Sequence, residues 1–442
     1  MLHPKITGTT AIYGLILLLA VSFSSCHTLQ TLTRNLHPSP RDEYVNGLQK
    51  SNLTSTSMAK VWLKAGEVYL HDSIMVSLPF QETGYFSLTE PQARFYRFEV
   101  KDGQVLTLTT VMKSKENAKL FIDLFTLQDG VWKEITHADS LRLTHEFVAS
   151  GSCLVRLQPE LLVNLFYSIT LSVTPVLLNP VKGASNKSIG SFYGDPRDGG
   201  KRKHEGIDIF APKGTFVIAP TDGIVARVGN STLGGKTVWM NDVKRGHSYY
   251  FAHLDSQMVR PGTKVKQGDV LGTVGNTGNA RTTPSHLHFG VFQNTSKDPV
   301  TYIRTMEKLV NEVTPDTLFR SIVFRVDQKK GMLRTGPATK HIVREQLTRD
   351  TYIKVIAQSK EWYRVLTASE REGFIEKNKV IAAEKGNRFN IKKTIPLLSE
   401  ANVNAVPVGT LTGQAEGLAT YKNFNFVKTP QGQSGWIDRS LL

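Results

Sequence analysis

The stretch TTPSHLHFG, Thr282 to Gly290, decides how this chain is read. Alternate residues of a strand point the same way, so His286 and His288 share one face while Leu287 and Phe289 turn to the other. The apolar pair belongs to a core, and the imidazole pair faces away from it. One solvated histidine needs no explanation. Two held side by side point to a metal, a proton-transfer site, or both.

Two motifs upstream supply partners. KHEGIDIFAP, Lys203 to Pro212, contains His204 and Asp208. Their spacing fits one helix face, but Gly206, the β-branched Ile207 and Ile209, and Pro212 disfavour a helix. The pattern predicts a loop entering a strand, with His204 and Asp208 converging across a turn that Gly206 permits. YYFAHLD, Tyr249 to Asp255, places His253 at the end of an aromatic-rich strand, and Asp255 reads as a solvated strand-end residue before it reads as an orienting neighbour. The letters His204-Glu205 do not make a helical zinc-protease motif, because no second histidine follows at the required spacing. A catalytic zinc takes three protein ligands and leaves one position for water. One aspartate and two histidines satisfy that count, and two histidines remain to handle protons. His247, in KRGHSYY, falls outside the pattern and reads as a hairpin-turn residue.

These three motifs, in this order, resemble those of the lysostaphin and LytM-type zinc peptidases, peptidase family M23. The resemblance covers roughly residues 185–295. It implies that His204, Asp208 and His288 bind Zn2+, that His253 and His286 are the catalytic histidines, and that peptidoglycan is the substrate. It implies a compact antiparallel β-sheet core with an open groove. The lipoyl-like hairpin PGTKVKQGDVLGTVGNTG, Pro261 to Gly278, is scaffold within that core. Arg197, in the loop GDPRDGG, is a candidate for binding a substrate carboxylate. A non-catalytic relative that activates wall amidases is the rival reading. It is disfavoured because every expected ligand is present.

The rest of the chain sets the context. At 442 residues it should form several domains. Two cysteines, Cys26 and Cys153, exclude a disulfide scaffold and a cysteine-rich zinc site. A net charge of +16 and a pI near 9.6 suit an acidic polymer or an anionic membrane. No nucleic-acid-binding motif accompanies the charge, so nucleic acid is not expected as a partner. The apolar run AIYGLILLLAVSF, Ala11 to Phe23, is short for a membrane span and fits a signal peptide. Followed by Ser24-Ser25-Cys26, it resembles a bacterial lipoprotein signal. That implies a lipidated Cys26 and a lipid anchor to a membrane of the cell envelope, with the chain facing the periplasm. Cys153 then reads as a buried free thiol.

The fold class expected is mainly β. Residues 1–25 are the signal peptide and 26–58 a polar tether containing a short helix near Arg41 to Gln49. Short alternating runs over 59–175 predict an N-terminal β-sandwich, and they resemble bacterial pre-peptidase domains. The central antiparallel peptidase sheet spans 185–300, with a linker at 301–322. Two C-terminal SH3-like β-barrels follow at 323–382 and 387–442. The first keeps Arg334, Gly336 and Pro337 of the bacterial SH3 pattern. The second, degenerate copy matches it at Phe424, against Trp362, and at Gly435-Trp436, against Gly373-Phe374. Trp436 reads as barrel core.

Overall fold

The computed structural model describes residues 38–68, 74–306 and 323–442, so Cys26 and the signal segment lie outside the described residues. The chain is mainly β. Its strands follow the alternation of the sequence: Arg94–Val100, RFYRFEV, buries Phe95, Tyr96, Phe98 and Val100. This strand belongs to a five-stranded sheet with Ile74–Met75, Gly151–Pro159, Leu120–Gln128 and Val131–His137. A second sheet carries Phe80–Phe86, Leu165–Pro175, Gln104–Ser114 and Arg142–Glu146. The two sheets share one core, to which Phe98, Leu124 and Val155 come from the first and Phe80, Leu108 and Ile169 from the second. Cys153 is buried in that core, and burial pushes its thiol up to about 12, out of the reactive range.

Part of the segment read as a tether is folded. Ser39 caps a helix over Pro40–Lys50 by accepting from the Asp42 amide, with Pro40 in the first turn. A second helix spans Ser57–Val68. Both dock on the first sheet through polar contacts. Arg41 Nε donates to Gln158 Oε1 (2.7 Å), Gln158 Nε2 donates to the Trp62 carbonyl (2.8 Å), and Trp62 Nε1 donates to the Pro159 carbonyl (2.7 Å). A docked helix whose anchor is a buried arginine looks, by composition, like a solvated one. That is why the sequence indicated a helix near Arg41 to Gln49 but not its docking on the sheet.

The second sheet does not end at residue 175. Its strand Phe80–Phe86 pairs on the other edge with Tyr352–Ser359, placing Thr83 opposite Gln358 and Gly84 opposite Ala357. Arg364, fully buried, crosses the same seam. Its NH1 lies 3.1 and 3.3 Å from the two Glu82 oxygens, and its Nε donates to Glu372. Tyr96 and Tyr167 complete the set by donating to Glu82 Oε1 at 2.7 and 2.9 Å. Phe374 and Trp362 join the core of the first two sheets. Residues 323–382 are therefore fused to the N-terminal sheets rather than appended behind them. Arg364→Ala strips the guanidinium that pairs with Glu82 and Glu372, the first of them wholly buried. Breaking one side of such a pair typically costs about 3–5 kcal/mol. Denaturant unfolding followed by tryptophan fluorescence is expected to show that loss, and a change below about 1 kcal/mol would refute the structural role.

Residues 387–438 form a closed four-stranded barrel. Trp436 is buried, but against Tyr352 of the preceding segment (ring centroids 4.9 Å) and Phe426 (5.1 Å), in a cluster separate from the barrel's own core. It thus seals one unit onto the next.

Between these parts lies the sheet that holds the histidines. Its strand order is Ile189–Ser191, Ile207–Phe210, His286–Gln293, His247–Gln257, Gly235–Asp242, Gly223–Ser231 and Lys264–Val265. Ile207, Ile209, Leu287, Phe289, Tyr249 and Phe251 fill the core on one face. The N-terminal sheets grip this unit at one end. Arg245 binds Glu146 (NH2 to Oε2, 3.1 Å) and Asp242 (NH1 to Oδ2, 2.8 Å), and Lys297 binds Asp102 (2.7 Å). Gly103 is obligatory there, since a Cβ would sit 2.4 Å from the Tyr302 ring. These contacts flank His247. His253 is six residues further along the same strand, about 20 Å away at ~3.3 Å per residue.

Candidate metal centre and proton-transfer site

The core side chains set which residues face the groove. With Ile207, Ile209, Leu287 and Phe289 turned inward, Asp208, His286 and His288 must face outward. A one-residue slip would reverse both sets. Asp208 lies directly opposite His288, and His288 opposite Ala252 on its other side. His204 reaches the same point from the loop before Ile207. Gly206 makes this possible by having no side chain: a Cβ would lie 2.5 Å from the Phe289 carbonyl and 2.8 Å from the His288 ring. The glycine is needed for close approach, not for the turn conformation that the sequence alone suggested.

Three ligand atoms converge. His204 Nε2 is 2.9 Å from His288 Nδ1 and 3.1 Å from Asp208 Oδ1, and His288 Nδ1 is 3.1 Å from Asp208 Oδ1. Among the described residues this is the group of His, Cys, Asp or Glu side chains placed to hold a metal. A tetrahedral cation with bonds of ~2.0–2.1 Å needs ligand atoms about 3.3 Å apart, so the triangle fits such an ion after slight expansion. The tautomers agree. His204 Nδ1 donates to the Phe192 carbonyl (2.9 Å), so Nε2 is the nitrogen that offers its lone pair once a metal takes the place of a proton. Burial works to raise the Asp208 carboxyl, but hydrogen bonds and charge from His204 and His288 hold it well below the usual carboxylate range. Burial lowers His288. The carboxylate and a neutral imidazole are the forms a metal requires.

His253 and His286 stand beside the triangle, with ring centroids 5.0 Å apart. Each donates Nδ1–H to a carbonyl 2.9 Å away, that of Thr277 for His253 and of Pro284 for His286. Their Nε2 atoms are left as proton acceptors. His286 Nε2 is 3.9 Å from Asp208 Oδ1. Burial lowers His253 to about 4, its histidine neighbours add to this, and the Thr277 carbonyl opposes it. His253 also has a left-handed backbone, φ 60, where the register of its strand shifts against Gly235–Asp242. Its amide is held by the Gly234 carbonyl at 2.7 Å. Strain of this kind at a non-glycine residue marks an imposed position.

The remaining candidates fall as follows. Arg197 lies in the site, but on Asp208: its NH2 is 2.8 Å from Oδ2. Asp255 pairs with Lys213 (3.1 Å), so the His253 ring is oriented by a backbone carbonyl rather than by Asp255. Glu205 is exposed. His247 is buried at the far end, its ring 5.5 Å from that of Tyr302, and outside the site. The carbonyls of Phe192, Thr277 and Pro284 were invisible to sequence reasoning, since any residue can supply a carbonyl.

Residues 202–300 match the model described as peptidase family M23. The L-Ala–D-Glu endopeptidase of Bacillus subtilis is 33% identical over 142 residues, covering 29% of this chain and 43% of that protein. The peptidoglycan DD-endopeptidase ShyC of Vibrio cholerae is 35% identical over 101 residues, covering 22% of each. The murein hydrolase activator NlpD of Escherichia coli is 34% identical over 103 residues, covering 23% of this chain and 26% of that one. The chain thus spans less than half the length of these relatives. Among solved structures, the catalytic domain of lysostaphin from Staphylococcus simulans is 32% identical, with 25% of this chain and 87% of that chain covered and a TM-score of 0.23.

Proposed function

We propose that this chain, which carries an M23 peptidase domain over residues 202–300, is a zinc-dependent endopeptidase that hydrolyses peptide cross-links of peptidoglycan. The observation that carries the reading is the triangle of His204 Nε2, Asp208 Oδ1 and His288 Nδ1 with two further histidines beside it. Zinc, held by those three residues, would polarise a carbonyl and acidify a water. His253 and His286 then act as proton-transfer groups: each has Nδ1 tied to a carbonyl, so its Nε2 first accepts a proton and only then can donate to a developing oxyanion. Neutral His253 is suited to take a proton. The domain contacts at Glu146 and Asp102 gather around His247, which is six residues along the strand from His253.

The amidase-activator reading is favoured by the likeness to NlpD. The ligand set distinguishes the two, since an activator that works by binding needs neither the ligand triangle nor the two spare histidines. Purified sacculi incubated with the full chain and zinc, followed by mass spectrometry of the released muropeptides, test the proposal. Cleaved cross-links are expected. Intact cross-links with amidase-dependent release would favour the activator.

The same proposal covers the outer parts: a pre-peptidase-like sandwich at 59–175, SH3-like barrels at 323–382 and 387–442, and attachment in the cell envelope through lipid on Cys26. The lipoprotein-like segment Ser24-Ser25-Cys26 supports the anchor. Each buried CH₂ of an acyl chain contributes about 0.8 kcal/mol, and one chain alone holds only marginally, so a multiply acylated cysteine is expected. Cys26→Ser should leave an uncleaved precursor without lipid label. Normal processing and acyl labelling of that variant would dispose of the lipid anchor.

A further inference from the structure

Arg197 looks from the sequence like a substrate anchor, yet its guanidinium lies against the ligand set. We propose that Arg197 is a positioning residue for the metal ligands: it holds the distal oxygen of Asp208, so that a single oxygen faces the triangle. This inference rests on reading that triangle as a zinc site.

The two carboxylate oxygens have separate partners. Oδ1 lies 3.1 Å from His204 Nε2 and 3.1 Å from His288 Nδ1. Oδ2 accepts from Arg197 NH2 at 2.8 Å. An unrestrained carboxylate can rotate and offer either oxygen or both. One with an oxygen tied to a guanidinium offers the other in a fixed direction. The guanidinium is itself tied. The same NH2 donates to Ser191 Oγ at 2.6 Å, and Ser191 sits opposite Asp208 on the neighbouring strand. Ser191 Oγ donates in turn to Asp195 Oδ2 (3.1 Å), which also accepts the Phe192 amide (2.7 Å). Phe192 supplies the carbonyl that sets the His204 tautomer. One short loop therefore orients both His204 and Asp208, with Arg197 NH2 within 3.0 Å of the His204 ring.

Two effects oppose each other. A cation beside a metal site repels the metal, while a fixed ligand oxygen lowers the cost of binding it. The guanidinium charge is spread over three nitrogens, and the side chain is 29% exposed, so the repulsion is screened. The hydrogen bond is made to the carboxylate itself, and orientation should prevail.

The test is zinc affinity of the full chain, measured in competition with a chromogenic chelator, alongside KM and kcat on muropeptides. Arg197→Ala is expected to lose ~10–100-fold in zinc affinity, the usual cost of removing an outer partner of a metal ligand. Arg197→Lys, which keeps a donor and the charge, should recover part of that loss. Ser191→Ala should lose affinity in the same direction but by less. Wild-type or tighter zinc binding by Arg197→Ala overturns the proposal, and a raised KM with unchanged zinc affinity would return Arg197 to a substrate role. If Arg197→Ala does not fold, as judged by thermal unfolding of the zinc-free protein, unchanged affinity in both Arg197→Lys and Ser191→Ala overturns it equally. Failure of the wild-type chain to take up zinc at all would instead refute the metal-site reading.

Discussion

His288→Ala and Asp208→Ala are each expected to abolish both zinc binding and hydrolysis. The three ligand atoms lie 2.9–3.1 Å apart, so each is adjacent to both others, and removing one leaves a two-ligand site open to water. The two variants should fail for different reasons. His288→Ala removes a neutral donor and leaves Asp208 paired with Arg197. Asp208→Ala removes the negative charge and leaves the Arg197 guanidinium beside His204 without its ion-pair partner. Asp208→Asn separates charge from shape, because it keeps an oxygen in place while losing the charge a dication requires. It should therefore resemble Asp208→Ala in metal content. Elemental analysis after dialysis, paired with turnover of sacculi, checks all three. A His288→Ala protein with a full zinc complement would show that the triangle is not the metal site.

The part of this site that was legible in sequence is the part made by side chains in short-range patterns. The alternation in SHLHFG put His286 and His288 on one face, and the structure turns Leu287 and Phe289 into the core. Gly206 was legible as a necessity but not for its reason, because close approach to Phe289 and His288 depends on a strand some eighty positions away. What could not be read came from backbone and from long-range pairing. The carbonyls that orient His204, His253 and His286 carry no residue signature. The seam between Phe80–Phe86 and Tyr352–Ser359 joins segments with the whole histidine-bearing sheet between them. Alternation identifies a strand but not its neighbour. The docking of residues 40–50, though not their helix, escaped because their buried anchor is Arg41, and a charged side chain reads as solvated unless its partner, here Gln158, is known.

His286→Ala and His253→Ala are expected to retain most of the zinc and to lose ~10²–10⁴-fold in hydrolysis, the usual contribution of a positioned proton-transfer group. Neither ring belongs to the ligand triangle. If the two act on one proton-transfer sequence, the double variant should be scarcely slower than either single one, because groups that work as a unit are not additive. His253 allows a sharper test. Its left-handed backbone, φ 60, costs a non-glycine residue about 1–2 kcal/mol, and glycine is exempt. His253→Ala and His253→Gly should thus be equally inactive, with glycine the more stable by roughly 1 kcal/mol after its greater unfolded-state entropy is set against the relieved strain. That pairing would show that the chain keeps a strained residue because only a side chain launched from that backbone reaches the groove. Thermal unfolding of the two zinc-loaded variants, with turnover measured on the same samples, decides it. A glycine variant less stable than the alanine one by about 0.5–1 kcal/mol would mean the bulge imposes no strain at His253, and a metal-free His286→Ala protein would move His286 from proton transfer into the ligand set.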